Sequence, residues 1–300
     1  MGTQGDSNEW FSMQTKTRSI LEPNFSRQKL DEHTFPMSDF VMFRVYSSTR
    51  PHNKKIADLQ KGLTLVVNGA ETVGEGTGFG LPVLEYSCET LFSASSTVEV
   101  SDLFGRRVIV KQFNMNRVAR NSLRNITLEN HAARSLIDHL STLYQNHPRF
   151  RFLTLKDLTG KIGIRKAFLE TTPKGNITVT YAIDKTSVTV EADFTKVQPR
   201  GLQKIFMLNE QSAQFFRKYI DSQGTELFDE KIGAWGVTDS EWACIKNMGS
   251  GLGFRLWKVE DSMLRRGREF LRGSLDWVGL DYEVNPTCDN FSYVIDIVGL

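Results

Sequence analysis

Apolar and polar residues alternate with a period of two along most of this chain, and the stretches that do so predict β-strands. In the segment from Phe40 to Tyr46, Val41, Phe43 and Val45 share one face while Met42, Arg44 and Tyr46 share the other. Leu63 to Val67 is a second strand. It ends at Asn68-Gly69, the dipeptide that suits a two-residue type I′ turn, so its hairpin partner is expected from Thr72 into the glycine-rich segment that follows. Thr90 to Ser101 and Arg106 to Phe113 continue the pattern around Asp102-Leu103-Phe104-Gly105, as do Ile177 to Ile183 and Val188 to Phe194 around Asp184-Lys185-Thr186-Ser187. Further strands are read at Lys204 to Leu208, Phe254 to Trp257, Leu275 to Val278 and Tyr293 to Val298.

Helical spacing is clear once, between Thr127 and Asn146, where Leu128, Ala132, Leu136, Leu140 and Leu143 fall on one side. A shorter helix is expected through Ala213, Phe216 and Tyr219, with Asn209 as its cap and Glu210 and Gln211 in its first turn. Together these elements predict a mainly β fold: a large antiparallel β-sandwich with one central helix and short helical insertions. Residues 37–300 would form this single domain. Residues 1–36, polar and containing Pro23 and Pro36, read as an arm without regular structure.

The most unusual stretch is Gly74 to Tyr86, which places glycines at alternate positions 74, 76, 78 and 80 and then becomes strand-like. Glycine inside a strand forfeits packing and costs backbone entropy, so the row marks a bulge, a tight bend, or a place where a ligand or a second backbone comes close. It is not a phosphate loop: the lysine and hydroxyl of that motif are missing, and a strand follows where a helix is required.

Other candidate groups are scattered. Arg44 and Tyr46 put a cation beside a phenol, either on a solvated face or where an anionic or hydroxylated ligand is held. Asn209 and Glu210 close an apolar strand, where amide and carboxylate groups can bind sugar hydroxyls or move a proton. Trp235 lies near Gly233 and Gly236, so its ring is either a core anchor or a face open to a sugar or a cation. Trp242, Trp257 and Trp277 stand in the same two-way position. His131 and His139, eight residues apart, point roughly 80° apart around a helix and do not converge as metal ligands would. Neither a metal nor a cofactor is expected.

Composition narrows the function classes. The chain has 300 residues, 40% hydrophobic and 24% charged, and so can bury a sizeable core. Its 37 basic and 35 acidic residues leave a net charge of +2, with no general drive toward nucleic acid or an anionic membrane. The local cluster Arg265-Arg266-Gly267-Arg268 with Arg272 lacks interleaved aromatics, so a nucleic-acid partner is not expected. No run approaches the roughly 18 apolar residues of a membrane helix, and no secretory leader is read in the first residues. Cys88, Cys244 and Cys288 are odd in number and show no CxxC spacing. That fits free thiols in a reducing cytoplasm.

Gly76-Thr77-Gly78-Phe79-Gly80-Leu81-Pro82-Val83, Leu208-Asn209-Glu210-Gln211 and Ile232-Gly233-Ala234-Trp235 together resemble a group of uncharacterised archaeal proteins over about 56–240. No established activity comes with that group. More loosely, the layout is similar to the β-supersandwich of galactose mutarotase-like proteins, which include sugar epimerases, polysaccharide lyases and carbohydrate-binding domains. That resemblance implies a carbohydrate ligand. The histidines of the epimerases have no counterpart in any strand after His52, whereas lyase chemistry would draw on Arg44, Tyr46 and Tyr86. Two readings follow. One is a carbohydrate-binding or carbohydrate-processing protein whose concave sheet carries Arg44, Glu75, Gly78, Glu210 and Trp235; the other is a structural or interaction sandwich without catalysis.

Overall fold

The computed structural model describes residues 31–47, 61–72, 77–87, 89–103, 106–123, 126–127, 164–271 and 275–300. Residues 32–300 belong to one compact unit. Four strands form a small sheet in chain order: β1 (Asp31–Pro36), β2 (Val41–Ser47), β3 (Thr64–Val67) and β4 (Ala70–Glu71). The others join a 16-stranded antiparallel sheet. In chain order they are β5 (Gly78–Tyr86), β6 (Glu89–Leu103), β7 (Arg106–Leu123), β8 (Ile126–Thr127), β9 (Ile164–Glu170), β10 (Asn176–Ile183), β11 (Ser187–Asp193) and β12 (Leu202–Ser212). They continue with β13 (Lys218–Asp221), β14 (Glu226–Phe228), β15 (Gly236–Val237), β16 (Trp242–Lys246), β17 (Gly253–Trp257), β18 (Ser262–Leu271), β19 (Leu275–Val284) and β20 (Asn290–Val298).

The path across the large sheet is β14-β13-β16-β17-β20-β11-β10-β7-β6-β5-β12-β19-β18-β15, with β8 and β9 both paired to β7. The long β6–β7 hairpin sits in the middle of this path, and the two halves on either side of it turn their apolar faces toward each other. Phe79 of β5 meets Phe254 of β17 edge-on at 5.1 Å, and Tyr282 of β19 meets Phe291 and Tyr293 of β20 at 5.1 and 4.8 Å. Edge-on and tilted ring pairs of this kind add about 0.5–1.5 kcal/mol beyond the area they bury. The small sheet joins the same core, since Phe43 of β2 meets Phe79 at 6.3 Å.

The alternation is realised as predicted where it is strongest. Val41, Phe43 and Val45 have no exposure, and β10 and β11 alternate buried residues with half-buried or exposed ones along their length. The Asn68-Gly69 turn has φ of 49° and 77° and closes the β3–β4 hairpin, as a type I′ turn requires.

Three expectations change, and a fourth falls almost wholly outside the described residues. Asp31–Pro36, assigned to the irregular arm, is strand β1, with Phe35 buried and the Arg107 guanidinium 5.7 Å from its ring. The helix expected over 127–146 lies outside the described residues except for Thr127, which ends strand β8; among the described residues the one helical element is a 3-10 turn, Asp229–Ile232. Asn209, Glu210 and Gln211 do not start a helix, because β12 runs on through Ser212. A single turn follows, with Phe215 and Phe216 N–H both bonded to the Ser212 carbonyl. Arg217 N–H then bonds to the Lys246 carbonyl, and pairing with β16 captures the chain as β13. Lastly, the glycine row does not extend the β3 hairpin. β5 pairs with β12 and β6, and its backbone meets the chain leading into β3 through an isolated bridge between Leu63 and Phe79.

Candidate functional site

The glycines of β5 build a bulge. Leu208 is opposite Leu81 but Asn209 is opposite Phe79, so Gly80 is the extra residue, and its φ of 70° is one that only glycine adopts freely. The bulge frees polar backbone groups inside the core, and side chains satisfy them. Gly80 N–H donates to Asn209 Oδ1 at 3.1 Å, while the Tyr181 hydroxyl reaches the Phe79 and Gly80 carbonyls at 3.0 and 3.1 Å. The Tyr293 hydroxyl donates to the same Asn209 oxygen at 2.9 Å. A methyl group at Gly80 would stand 2.9 Å from the Tyr181 ring, and one at Gly78 would stand 2.9 Å from the Leu63 carbonyl. Of the readings open from the sequence, a bulge and a close second backbone are the ones realised at Gly80 and Gly78.

Asn209 is thus fixed on the core side, and alternation sends Glu210 to the opposite face. There Glu210 is abreast of Gly78 on β5 and Gly279 on β19, and Gly279 is abreast of Gly267 on β18. This row crosses four strands and carries one side chain, that of Glu210. At the far end, where β15 pairs with β18, Trp235 lies over Gly267: a methyl group there would fall 2.5 Å from the indole. The Trp235 Nε1–H donates to Glu269 Oε1 at 3.1 Å.

The same face brings in Asp281, Glu269 and Arg265 from β19 and β18, at positions two residues from the glycines. The β12–β19 ladder is interrupted at Leu208 and Asn209, and the freed Asn209 N–H donates to Asp281 Oδ1 at 2.8 Å. Glu210 is 8% exposed and Asp281 4%. Burial, then the nearby Asp281 and Glu269 charges, push the Glu210 carboxyl well above the usual range. Burial likewise pushes Asp281 up to about 7, against the pull of the Asn209 N–H and of Arg265. Burial thus opposes ionisation of both carboxyls, and each makes it harder for the other to carry a charge. The Glu210 carboxyl accepts no hydrogen bond from the described residues, and the buried Arg265 Nε has no acceptor. An unbonded carboxyl and an unused donor in one cluster are what a ligand oxygen would satisfy.

Of the residues singled out from the sequence, Glu210, Gly78 and Trp235 therefore share one row. Arg44 does not join them. It sits in the small sheet, where its guanidinium approaches Glu32 at 2.7 Å and the Tyr46 hydroxyl at 3.4 Å; Tyr46 in turn donates to Glu71 at 3.0 Å. Glu75 and the glycines at 74 and 76 lie outside the described residues, as do His131, His139 and Cys88. Tyr86 is not gathered with Arg44 and Tyr46 into a lyase set, because its hydroxyl donates to the Gln198 carbonyl at 2.7 Å and Lys174 lies 4.2 Å from its ring. Trp277 is a buried anchor, whereas Trp242 and Trp257 are cross-strand neighbours that flank Arg255.

Sequence reasoning missed Asp281, Glu269, Gly279 and Gly267. The signal was present in part: Gly279 and Asp281 occupy the polar positions of an otherwise apolar run, Trp277 to Tyr282, and Gly267 interrupts an arginine cluster. It also missed Lys111, which alternation puts on the inward face of β7 between Ile109 and Phe113. Its ammonium, wholly buried, donates to the Tyr46 and Lys61 carbonyls at 2.7 and 2.6 Å. Among the described residues no three or more His, Cys, Asp or Glu side chains are placed so that they could hold a metal ion together, and no helix is long and apolar enough to cross a membrane.

Neither a protein-family model nor a curated protein sequence matches this chain.

Proposed function

We propose that this protein binds a carbohydrate and performs proton-transfer chemistry on it at the Glu210–Asp281 pair. The observation that carries this reading is the unbonded, nearly buried Glu210 carboxyl, whose ionisation is opposed by burial and by the neighbouring Asp281 and Glu269 charges. Glu210 then acts as general acid and Asp281, held by the Asn209 N–H, as its conjugate partner. Half-buried Trp235 borders the carboxyls and offers an aromatic surface of the kind on which sugar rings pack. Three carboxyls against one arginine favour a neutral sugar over a uronic acid. Histidine chemistry of the mutarotase kind finds no support, since among the described residues no histidine follows His33.

The facing halves of the large sheet support reading the fold as a β-sandwich, with the supersandwich of mutarotase-like proteins and the archaeal group as its proposed relatives. The free thiols of Cys244 and Cys288 support a reducing compartment, the cytoplasm. The second reading, an interaction protein without catalysis, draws on one observation: Trp257 and Val294, 42% and 38% exposed, lie on the paired strands β17 and β20.

The test is a thermal-shift screen of mono- and oligosaccharides, followed by turnover assays of any stabilising sugar with wild type and Glu210→Gln. A stabilising sugar that wild type converts and the variant binds without converting is the expected result. If no saccharide raises the melting temperature, the carbohydrate reading fails.

A further inference from the structure

A cavity of about 440 Å³ opens on the outer face of the β6–β7–β10 region, on strands that carry none of the carboxyl cluster. Its shape has a local cause. The β6–β7 register shifts between Phe92 and Ser93 and again between Ser93 and Ser95, and such irregularity bends and twists a strand. Beyond the shift Ser95 is opposite Asn114, Asn114 is opposite Asn176, and Thr97 is opposite Gln112, so a block of hydroxyl and amide side chains covers adjoining positions of three strands. Pro173 and Gly175 form the wall, on a segment held by its backbone. It is pinned to β7 by backbone bonds from Met115 N–H to the Gly175 carbonyl and from Lys174 N–H to the Met115 carbonyl, both 3.0 Å. Gly175 is required there, because a methyl group would fall 2.1 Å from the Lys196 carbonyl.

We propose that this groove is a binding site for a neutral, polyhydroxylated ligand, a segment of an uncharged oligosaccharide. None of its lining side chains is ionisable, so a charged ligand would be desolvated without a counter-ion. Hydroxyl and carboxamide groups each present donors and acceptors together, which is what a sugar hydroxyl needs, since it also donates and accepts. The volume falls within the range of roughly 300–1,000 Å³ typical of small-ligand clefts. Without an aromatic platform, recognition here rests on hydrogen bonds, direct or through water. The site stands apart from the Glu210–Asp281 pair, and neither needs the other.

An array of neutral and uronic-acid oligosaccharides probed with the whole protein tests this, with the strongest neutral binder then titrated calorimetrically. Doubly substituted Gln112→Ala/Asn176→Ala protein should lose about tenfold or more in affinity at an unchanged melting temperature. Lack of any neutral binder, binding of uronic-acid oligosaccharides alone, or full affinity in the double variant would overturn the proposal. If affinity is lost in Glu210→Gln and kept in the double variant, the groove falls while the carbohydrate reading stands. Loss only in the double variant, with no turnover of any sugar, keeps the groove and removes the proton-transfer reading.

Discussion

The side-chain carbonyl of Asn209 accepts a hydrogen bond from the Gly80 N–H at 3.1 Å, joining residues 129 positions apart in sequence. This bond links the fold to the candidate site. It satisfies the extra residue of the β5 bulge and fixes Asn209 on the core side of β12. Glu210 is thereby committed to the other face, beside Asp281 and in line with three glycines.

The bulge should be the more fragile of two glycine sites. At Gly69, φ is 77° and an added methyl would meet nothing within 4 Å beyond its chain neighbours, so Gly69→Val costs only conformational strain, about 1 kcal/mol or more. At Gly80, alanine meets both a φ of 70° and the Tyr181 ring at 2.9 Å. Strain and overpacking each cost roughly 1–3 kcal/mol. Urea denaturation should therefore show a larger loss for Gly80→Ala than for Gly69→Val; the reverse order would refute the bulge as a strained, packed element.

The carboxyl pair should destabilise the fold as pH rises. Asp281 in the folded chain is pushed up to about 7, and Glu210 also lies well above the ordinary carboxylate range. The folded state therefore binds more protons than the unfolded one between about pH 4 and 7, and the stability this gives at low pH is lost as pH passes through that window. Glu210→Gln and Asp281→Asn should each flatten this dependence and raise stability at pH 8, measured as denaturation midpoints across pH. Variants less stable than wild type at pH 8 would contradict it.

Lys111 should act in the next window with the opposite sign. Burial, with a smaller push from Lys61, lowers its ammonium to about 7. Between pH 7 and the ordinary lysine range near 10.4 the unfolded chain binds the extra proton, so stability should rise with pH there, by an amount on the order of a few kcal/mol. A neutral amine has two N–H donors, and two carbonyls receive them. In Lys111→Met the rise should disappear; a rise of unchanged size would assign it elsewhere.

Trp235 should report on the glycine row. In Gly267→Ala the added methyl would displace the indole, which lies 2.5 Å from that position, and break its bond to Glu269. Tryptophan emission should shift to longer wavelength, as the ring moves toward water, while the circular dichroism of the sheet is kept. Identical emission spectra for the two proteins would mean that the indole does not rest on Gly267.

What the sequence determined by itself is local. A period of two marks β2, β10 and β11 and their buried faces, because which side of a strand a residue takes depends only on its parity. Asn68-Gly69 determined its turn for an equally local reason, the positive φ both residues tolerate. The row from 208 to 211 and Trp235 were also visible as unusual chemistry. Tertiary structure alone decided the rest. Ala213, Phe216 and Tyr219 have helical spacing, yet pairing with β16 claims Tyr219 for a strand, since distant backbone partners outweigh a short helix's own bonds. Gly78, Glu210, Gly279 and Gly267 come abreast only because strands far apart in sequence pair in one particular register. That register depends on a bulge and on the packing of two sheet faces, neither of which any single segment encodes.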